Sequence, residues 1–360
     1  MDYRLYYLAF SHFLPIGPIR LKKLIDHLGN AENAYKGDKT GIESILGKDI
    51  ATQFFHFRSI FDPVKKEEEL KKKEITFLTQ ENRQYPYQLL HIPDPPICLY
   101  VKGDIDNHDF KKDFCIGIVG TRKPTSYGKQ IAKKLSSELS VSGLTTVSGM
   151  AMGIDAIVHR STLEIQGKTI AILGCAVDVI YPSCNIQLYE DIIKSKGLVI
   201  SEFPPGQNIV PSLFILRNRL ISGLSKGILV IEGMKDSGTL ITARFAAEQG
   251  KEVFAVPSPI TSPLSEAPNL LLKQGAKLVT CVEDIIEEFG LTLEIKAKQL
   301  IDLNNKEKRI IHILEKEPKC TDELEVELKI PIHEILQALS ILELKKAIEK
   351  NAEGKYQLAM

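Results

Sequence analysis

Tryptophan is absent from the 360 residues, and cysteine is scarce, at positions 98, 115, 175, 184, 281 and 320. No two cysteines form a Cys-x-x-Cys pair, and none is spaced with histidines as zinc ligands are. That argues against a metal centre and against a disulfide framework, and the six read as reduced filler residues. Charge of one sign is also missing: 46 Lys and Arg balance 46 Asp and Glu. Any affinity for a polyanion must therefore be local. No apolar run approaches the ~18 residues of a membrane span. The opening MDYRLYYLAFSHFLP lacks a basic n-region and a small-residue cleavage site, so it reads as folded protein and favours the cytoplasm. A Walker loop, HExxH, a Ser-His-Asp order and a close carboxylate pair are all lacking, which removes the usual signatures of ATP hydrolysis, zinc proteolysis and acyl transfer.

What the chain does contain is a repeated junction. CIGIVGTRKPTSYG (115–128), LTTVSGMAMGID (144–155) and GILVIEGMKDSGTLITA (227–243) each run from an apolar strand through Gly, Ser or Thr into a helical pattern. That geometry offers backbone N–H groups to a phosphate. Short apolar strands are expected at 115–120, 144–149, 169–174, 197–202, 227–232 and 252–256, alternating with helices. Such alternation predicts an α/β fold with a Rossmann-like, doubly wound, mostly parallel sheet whose ligand lies at the carboxyl ends of the strands. A dinucleotide site would need G-x-G-x-x-G and an acidic end to the second strand. Here Arg122 follows Gly120, and the second strand ends Ser148-Gly149. His159, four residues after Asp155, shares its helical face and is read as a hydrogen-bonder that shapes the site, with an acid/base role as the alternative.

Three blocks organise the chain. Residues 1–80 are helical in pattern, and HFLPIGPIRLKKLIDHLG (12–29) is similar to a helix-hairpin-helix, with Arg20, Lys22 and Lys23 after the turn; an ordinary packing unit fits equally well. Residues 65–73 (KKEEELKKK) read as a solvated helix face. The proline-rich stretch within 81–112 reads as a linker into a core at 113–290, which is mildly basic, with 17 Lys or Arg against 12 Asp or Glu between 114 and 277. A second linker, 291–305, leads to 306–360, where three amphipathic helices and a two-stranded wing around Glu353-Gly354 predict a winged helix. Its candidate recognition helix lacks Lys or Arg before Lys345, and the preceding helix carries Asp322, Glu323, Glu325 and Glu327. This end is therefore expected to be a protein-interaction or regulatory module.

GTRKPTSYG at 120–128, SGMAMGID with His159, GCAVDVIYPSCN (174–185), ISEFPPG (200–206), FILRNRLISGLS (214–225), DSGTLITA (236–243) and VFAVPSP (253–259) occur in this order. Together they resemble the DNA-processing protein A (DprA/Smf) family across the whole core, and the flanking blocks look like that family's accessory domains. The resemblance implies single-stranded DNA binding, protection of incoming strands and loading of the RecA recombinase in natural transformation. It also implies a homodimer paired through the core, with the apolar segment 269–278 a candidate surface that core packing explains equally well, and neither a cofactor nor catalytic turnover.

Carried onto this chain, the resemblance gives Phe214 a base to stack on. Arg122 takes a phosphate together with the backbone of Gly120 and Thr121, and Arg217 and Arg219 supply further cations. Asn218 fixes a loop or reads a base edge, and Ser237, Gly238 and Thr239 open the last phosphate-binding helix. Ser126, Tyr127, Ser148, Gly149 and Gly153 complete the expected site. Phe214 also suits a core position, and the two arginines also suit surface ion pairs. The chain departs from the family pattern at Ile215, where Pro is frequent, at Ser258, where Gly is frequent, and in SEAPN (265–269), which lacks a glycine before Asn269. The rival reading is a phosphoribohydrolase-like nucleotide-processing enzyme. Its catalytic Glu is missing, because Leu240 to Ala243 follow Gly238-Thr239.

Overall fold

The computed structural model describes residues 2–291, 305–314, 317–344, 347–351 and 354–358. Residues 292–304, most of the expected second linker, lie outside the described residues, as do Lys345 and Glu353. The chain forms two compact units, Met1–Thr292 and Leu293–Met360.

The first unit begins with six helices: α1 (Arg4–Ser11), α2 (Pro18–Leu28), α3 (Ala31–Lys36), α4 (Lys39–Leu46), α5 (Lys48–Ile60) and α6 (Pro63–Lys72). Their boundaries follow local chemistry. The side chains of Asn30, Asp38 and Asp62 cap α3, α4 and α6, and Pro18 and Pro63 sit in the first turns of α2 and α6, where no N–H is needed. Phe10, Phe54 and Tyr35 form an aromatic centre, with Phe10 and Phe54 stacked at 5.4 Å. The same cluster includes Cys98 and Tyr100, so these helices share a core with the sheet.

That sheet has nine strands in the order β1-β2-β6-β5-β4-β3-β7-β8-β9. They are β1 (Thr76–Thr79), β2 (Cys98–Gly103), β3 (Cys115–Val119), β4 (Thr145–Ser148), β5 (Thr169–Ile172), β6 (Leu198–Ser201), β7 (Gly227–Val230), β8 (Glu252–Ala255) and β9 (Lys277–Leu278). From β6 through β9 every neighbour is parallel, whereas β1 and β2 are antiparallel additions. The six strands read from apolar runs are all present. The stretch expected to be a linker, 81–112, holds β2, which pairs with both β1 and β6. Its prolines end at Pro96, and the residues after them, Leu99, Tyr100 and Val101, are wholly buried as a strand interior requires.

Between the parallel strands run α7 (Ser126–Val141), α8 (Ile154–Glu164), α9 (Ile186–Lys194), α10 (Pro211–Leu224) and α11 (Gly238–Glu248), followed by α12 (Glu266–Lys273) and α13 (Glu283–Glu288). The chain winds outward from β3 through β4 and β5 to β6. It then returns along α10 to place β7 on the other side of β3. Winding reverses between β3 and β7, and the crevice of a doubly wound sheet opens at such a point.

The second unit has helices Asn305–Leu314, Thr321–Leu328 and Ile332–Leu344 and an antiparallel hairpin of β10 (Ile348–Lys350) and β11 (Tyr356–Leu358). Ile310, Leu324, Leu339, Leu342 and Tyr356 give it a core of its own.

His159 is wholly buried in the first unit, with Nδ1 2.7 Å from the Thr169 hydroxyl and Nε2 without a partner among the described residues. It belongs to the packing beneath the sheet and is no acid/base candidate. Burial pushes its pKa from the ordinary 6.5 down to about 3. Because the folded value lies below the unfolded one, the unfolded chain takes up the proton first. The stability present above pH ~6.5 should therefore drain as pH falls towards 3, by up to about 1.4 kcal/mol per pH unit. Urea unfolding between pH 7 and 4 should show this slope, and His159→Gln should reduce it by one proton.

Candidate nucleic-acid interface

The first junction is held by a residue that sequence reasoning missed. Thr121 N–H donates to the backbone carbonyl of Glu232, just beyond β7, at 2.8 Å. The buried Glu232 carboxylate accepts from Thr125 N–H at 3.0 Å and from the Thr125 hydroxyl at 2.5 Å. The Thr125 oxygen in turn caps α7 by accepting from Gly128 N–H at 3.1 Å. A Cβ on Gly128 would fall 2.1 Å from the carboxylate, so only glycine fits. The available signal was a carboxylate ending an otherwise apolar strand, GILVIE. With its backbone fixed in this way, the loop leaves Arg122 exposed, and no ion pair among the described residues engages it. Ser126 and Tyr127 are exposed at the start of α7, and Tyr127 OH donates to Pro257 O at 2.8 Å.

The second junction turns inward. Ser148 is buried and donates to Ile118 O at 2.7 Å, so it ties β4 to β3 and is not at the surface where the site reading placed it. Gly149 is also buried: its N–H donates to Asp155 Oδ2 at 3.1 Å, and its carbonyl accepts from Arg217 Nη1 at 2.7 Å. Gly153 has φ +78°, and a Cβ there would meet Thr121 O at 2.4 Å. Ile154 N–H then donates to the same Thr121 carbonyl at 3.1 Å, which presses the first two junctions together.

On α10 the structure corrects the reading of both arginines. Arg217 and Arg219 are each only 4% exposed. Arg217 also donates to Ile172 O. Arg219 makes a two-pronged pair with Glu202, at 3.0 and 2.7 Å, and a third bond to Asp94 at 2.6 Å. Neither guanidinium projects into solvent as a free cation: Arg217 is turned onto the strand-end carbonyls and Arg219, on another side of the helix, onto Glu202 and Asp94, while Ile215 and Leu216 face outward. Burial lowers the Arg217 pKa to about 10, which leaves it charged at neutral pH. Phe214 is half-buried, its ring centroid 5.3 Å from that of Tyr181. Asn218 bridges to the third junction, accepting from Arg217 Nε at 3.2 Å and donating to Gly238 O at 3.4 Å.

At the third junction Gly238 is exposed, Thr239 is buried, and the half-buried Ser237 keeps its Oγ inside without a partner. These residues line a cleft of about 700 Å³ with Gly120, Thr121 and Arg122, at the reversal of winding between β3 and β7. Arg122 also borders a small recess with Tyr181, Phe214 and Arg217. The departures from the family pattern are absorbed locally. Ser258 O accepts from Asn269 Nδ2 at 3.2 Å, Pro268 is buried in α12, and Ile215 is exposed.

A family model, DNA recombination-mediator protein A, matches residues 76–290. The chain belongs to that family. It is 32% identical over 391 residues to "Protein Smf" of Synechocystis, covering 98% of both chains. To "DNA processing protein DprA" of Bacillus subtilis it is 44% identical over 207 residues, which is 58% of this chain and 69% of the relative. Among solved structures, DNA processing protein A of Streptococcus pneumoniae matches with a TM-score of 0.69 at 31% identity, over 81% of this chain and 99% of that one. A Helicobacter pylori DNA processing protein A, solved to describe its single-stranded DNA binding mode, matches with a TM-score of 0.53 at 31% identity, over 59% and 95%. The mixed α/β fold with its large, mostly parallel sheet is thus the fold of this family.

Because Arg219 neutralises Glu202, whose side chain is only 10% exposed, its loss should act on folding. Arg219→Ala strands the carboxylate and should cost about 3–5 kcal/mol of stability. Chemical denaturation measures this directly.

Proposed function

We propose that this chain binds single-stranded DNA across the carboxyl ends of β3, β4 and β7, protects incoming strands, and passes them to the RecA recombinase during natural transformation. The observation that carries the binding reading is Arg122: an exposed guanidinium on a rigid loop, free of ion pairs among the described residues, between the switch-point cleft and the Tyr181–Phe214 ring pair. Single strands are held by cations along the backbone and by aromatic faces under the bases, and this site offers one of each side by side. Backbone at Gly120, Thr121 and Gly238, and Ser126, Tyr127 and Gly153 around the rim, complete the surface, with Ser237 and Thr239 supporting the third junction from inside. Arg217 and Asn218 act from beneath it by holding the loops.

The RecA and transformation steps rest on the family, as does action without catalytic turnover, cofactor or metal in the cytoplasm. For the homodimer, the end of the sheet at β9 is the natural surface. Leu271 packs into the core, whereas Leu278 on this edge strand is 52% exposed. The second unit is assigned to a winged helix with a protein-facing role. The enzymatic rival predicts release of free base from nucleoside monophosphates, and the present reading predicts none.

Titrating single-stranded and duplex oligonucleotides across salt should show preference for the single strand. Arg122→Ala should weaken binding to every sequence and flatten the salt slope by about 0.7, one phosphate contact's worth for a single strand. An unchanged slope would remove Arg122 from the site. Phe214→Ala should cost about 1–3 kcal/mol of binding at an unaltered slope. Its ring is only half-buried, so melting should move far less than the ~3–5 kcal/mol of a core truncation. Deleting residues 306–360, which carry 10 Lys or Arg against 11 Asp or Glu, should leave most single-strand affinity in place.

A further inference from the structure

A third recess opens beside Arg122, away from the winding reversal and between α7 and α8. It has a volume of about 480 Å³, and its rim carries Arg122, Lys123, Lys129 and Arg160 with Met152 and Cys184. All four cations are exposed, none has a carboxylate partner among the described residues, and no carboxylate lines the recess. Unpaired surface cations are common, but here the same two helices supply the contrast. One turn further along α7, Lys133 pairs with Glu164 of α8 at 2.9 Å, and Lys134 lies 4.0 Å from Glu138. Pairing thus occurs one turn away on the same two helices and is withheld, among the described residues, around the recess. Asp155, the acidic residue in the first turn of α8, is turned inward to Gly149 and Ala151 and puts no carboxylate into the recess.

We infer that this recess is a second phosphate subsite, which takes the sugar–phosphate backbone of the same single strand after it passes Arg122. The inference rests on the binding reading above. It gives the strand a direction, out of the switch-point cleft, over the tight Gly153 turn and onto Lys129 and Arg160. The recess is lined by Pro124, Met152 and Ile157 beside its four cations and carries no aromatic ring, so it suits backbone phosphate better than a stacked base.

The test uses the full chain, a thymidine oligonucleotide of about twenty nucleotides, longer than one fold's usual site, and the double variant Lys129→Gln/Arg160→Gln. Both side chains are exposed, so the fold should be untouched. The expected result is about tenfold weaker binding at low salt and a salt slope smaller by about 1.4, two single-strand phosphate contacts. The Cys184 thiol, on the rim, should be shielded from a maleimide by the oligonucleotide in the wild type and unshielded in the variant. Lys133→Gln/Glu164→Gln, which removes a pair already formed, should change none of these. Unaltered affinity and slope in the first variant, or an equal loss in the second, overturns the subsite while leaving the binding reading standing. Failure of the wild type to bind at low salt overturns the binding reading itself.

Discussion

Everything at the carboxyl end of this sheet depends on one buried arrangement of charge. Arg217 and Asp155 are both taken out of water, and the backbone of Gly149 stands between them, its N–H donating to the carboxylate and its carbonyl accepting from the guanidinium. Burial pushes the Asp155 pKa up, while Arg217 and the amides of Ala151 and Gly149 pull it back. A charge held in the interior is tolerable only when its hydrogen-bonding capacity is met, and here that demand is met by backbone from two strand ends, β4 and β5. The cost is borne by sequence: a Cβ at 149 would lie 2.8 Å from both Arg217 Nη1 and Asp155 Oδ2, so no other residue fits there.

Two consequences follow for the surface. Helix α10 is anchored at Arg217 and again at Arg219, so Phe214, one turn earlier, is delivered to a fixed place against Tyr181 and the backbone at Gly174. On the other side of the cleft, Glu232 does the same for the loop that carries Arg122. The positive charges therefore fall into two kinds. Those inside, Arg217 and Arg219, spend their hydrogen bonds on the protein. Those outside, Arg122, Lys123, Lys129 and Arg160, are left with hydrogen bonds to give, on loops and helices that the interior has already made rigid.

This division is also where the sequence stops being legible. The six central strands could be read because a parallel strand buried on both faces is a continuous apolar run, and the three Gly-rich turns could be read because each lies within a dozen residues of its strand. Gly120, Arg122 and Gly153 were found that way. Arg217 and Arg219 were placed in solvent because their partners are remote: Asp94 is 125 positions from Arg219, and Gly149 is 68 from Arg217. Nothing local distinguishes a buried paired arginine from an exposed one. Ser148 fails for the same reason, its acceptor lying on the neighbouring strand. Strand β2 was hidden by the prolines before it. On one face, at Cys98 and Tyr100, its burial comes from the aromatic helices of α1 to α6, and on the other, at Leu99 and Val101, from the central core, contacts that no pattern within residues 81–112 announces.

A chain of zero net charge is an unpromising polyanion binder until the location of its free cations is considered. Uniformly spread charge of both signs gives no field beyond a Debye length, whereas four cations without an ion pair among the described residues, around one corner of the sheet, act together at contact range. Their setting also bears on which polyanion fits. The cations lie along the lips of recesses, with the half-buried ring of Phe214 and the exposed ring of Tyr181 in the small recess beside Arg122. A duplex presents its phosphates on a stiff convex surface and keeps its base faces stacked inside, so it meets these cations only in part and leaves both rings uncovered. A single strand can bend into the recesses and turn a base onto the rings, gaining phosphate and stacking contacts at once. On the binding reading proposed above, discrimination between the two forms would follow from concavity and from one pair of rings.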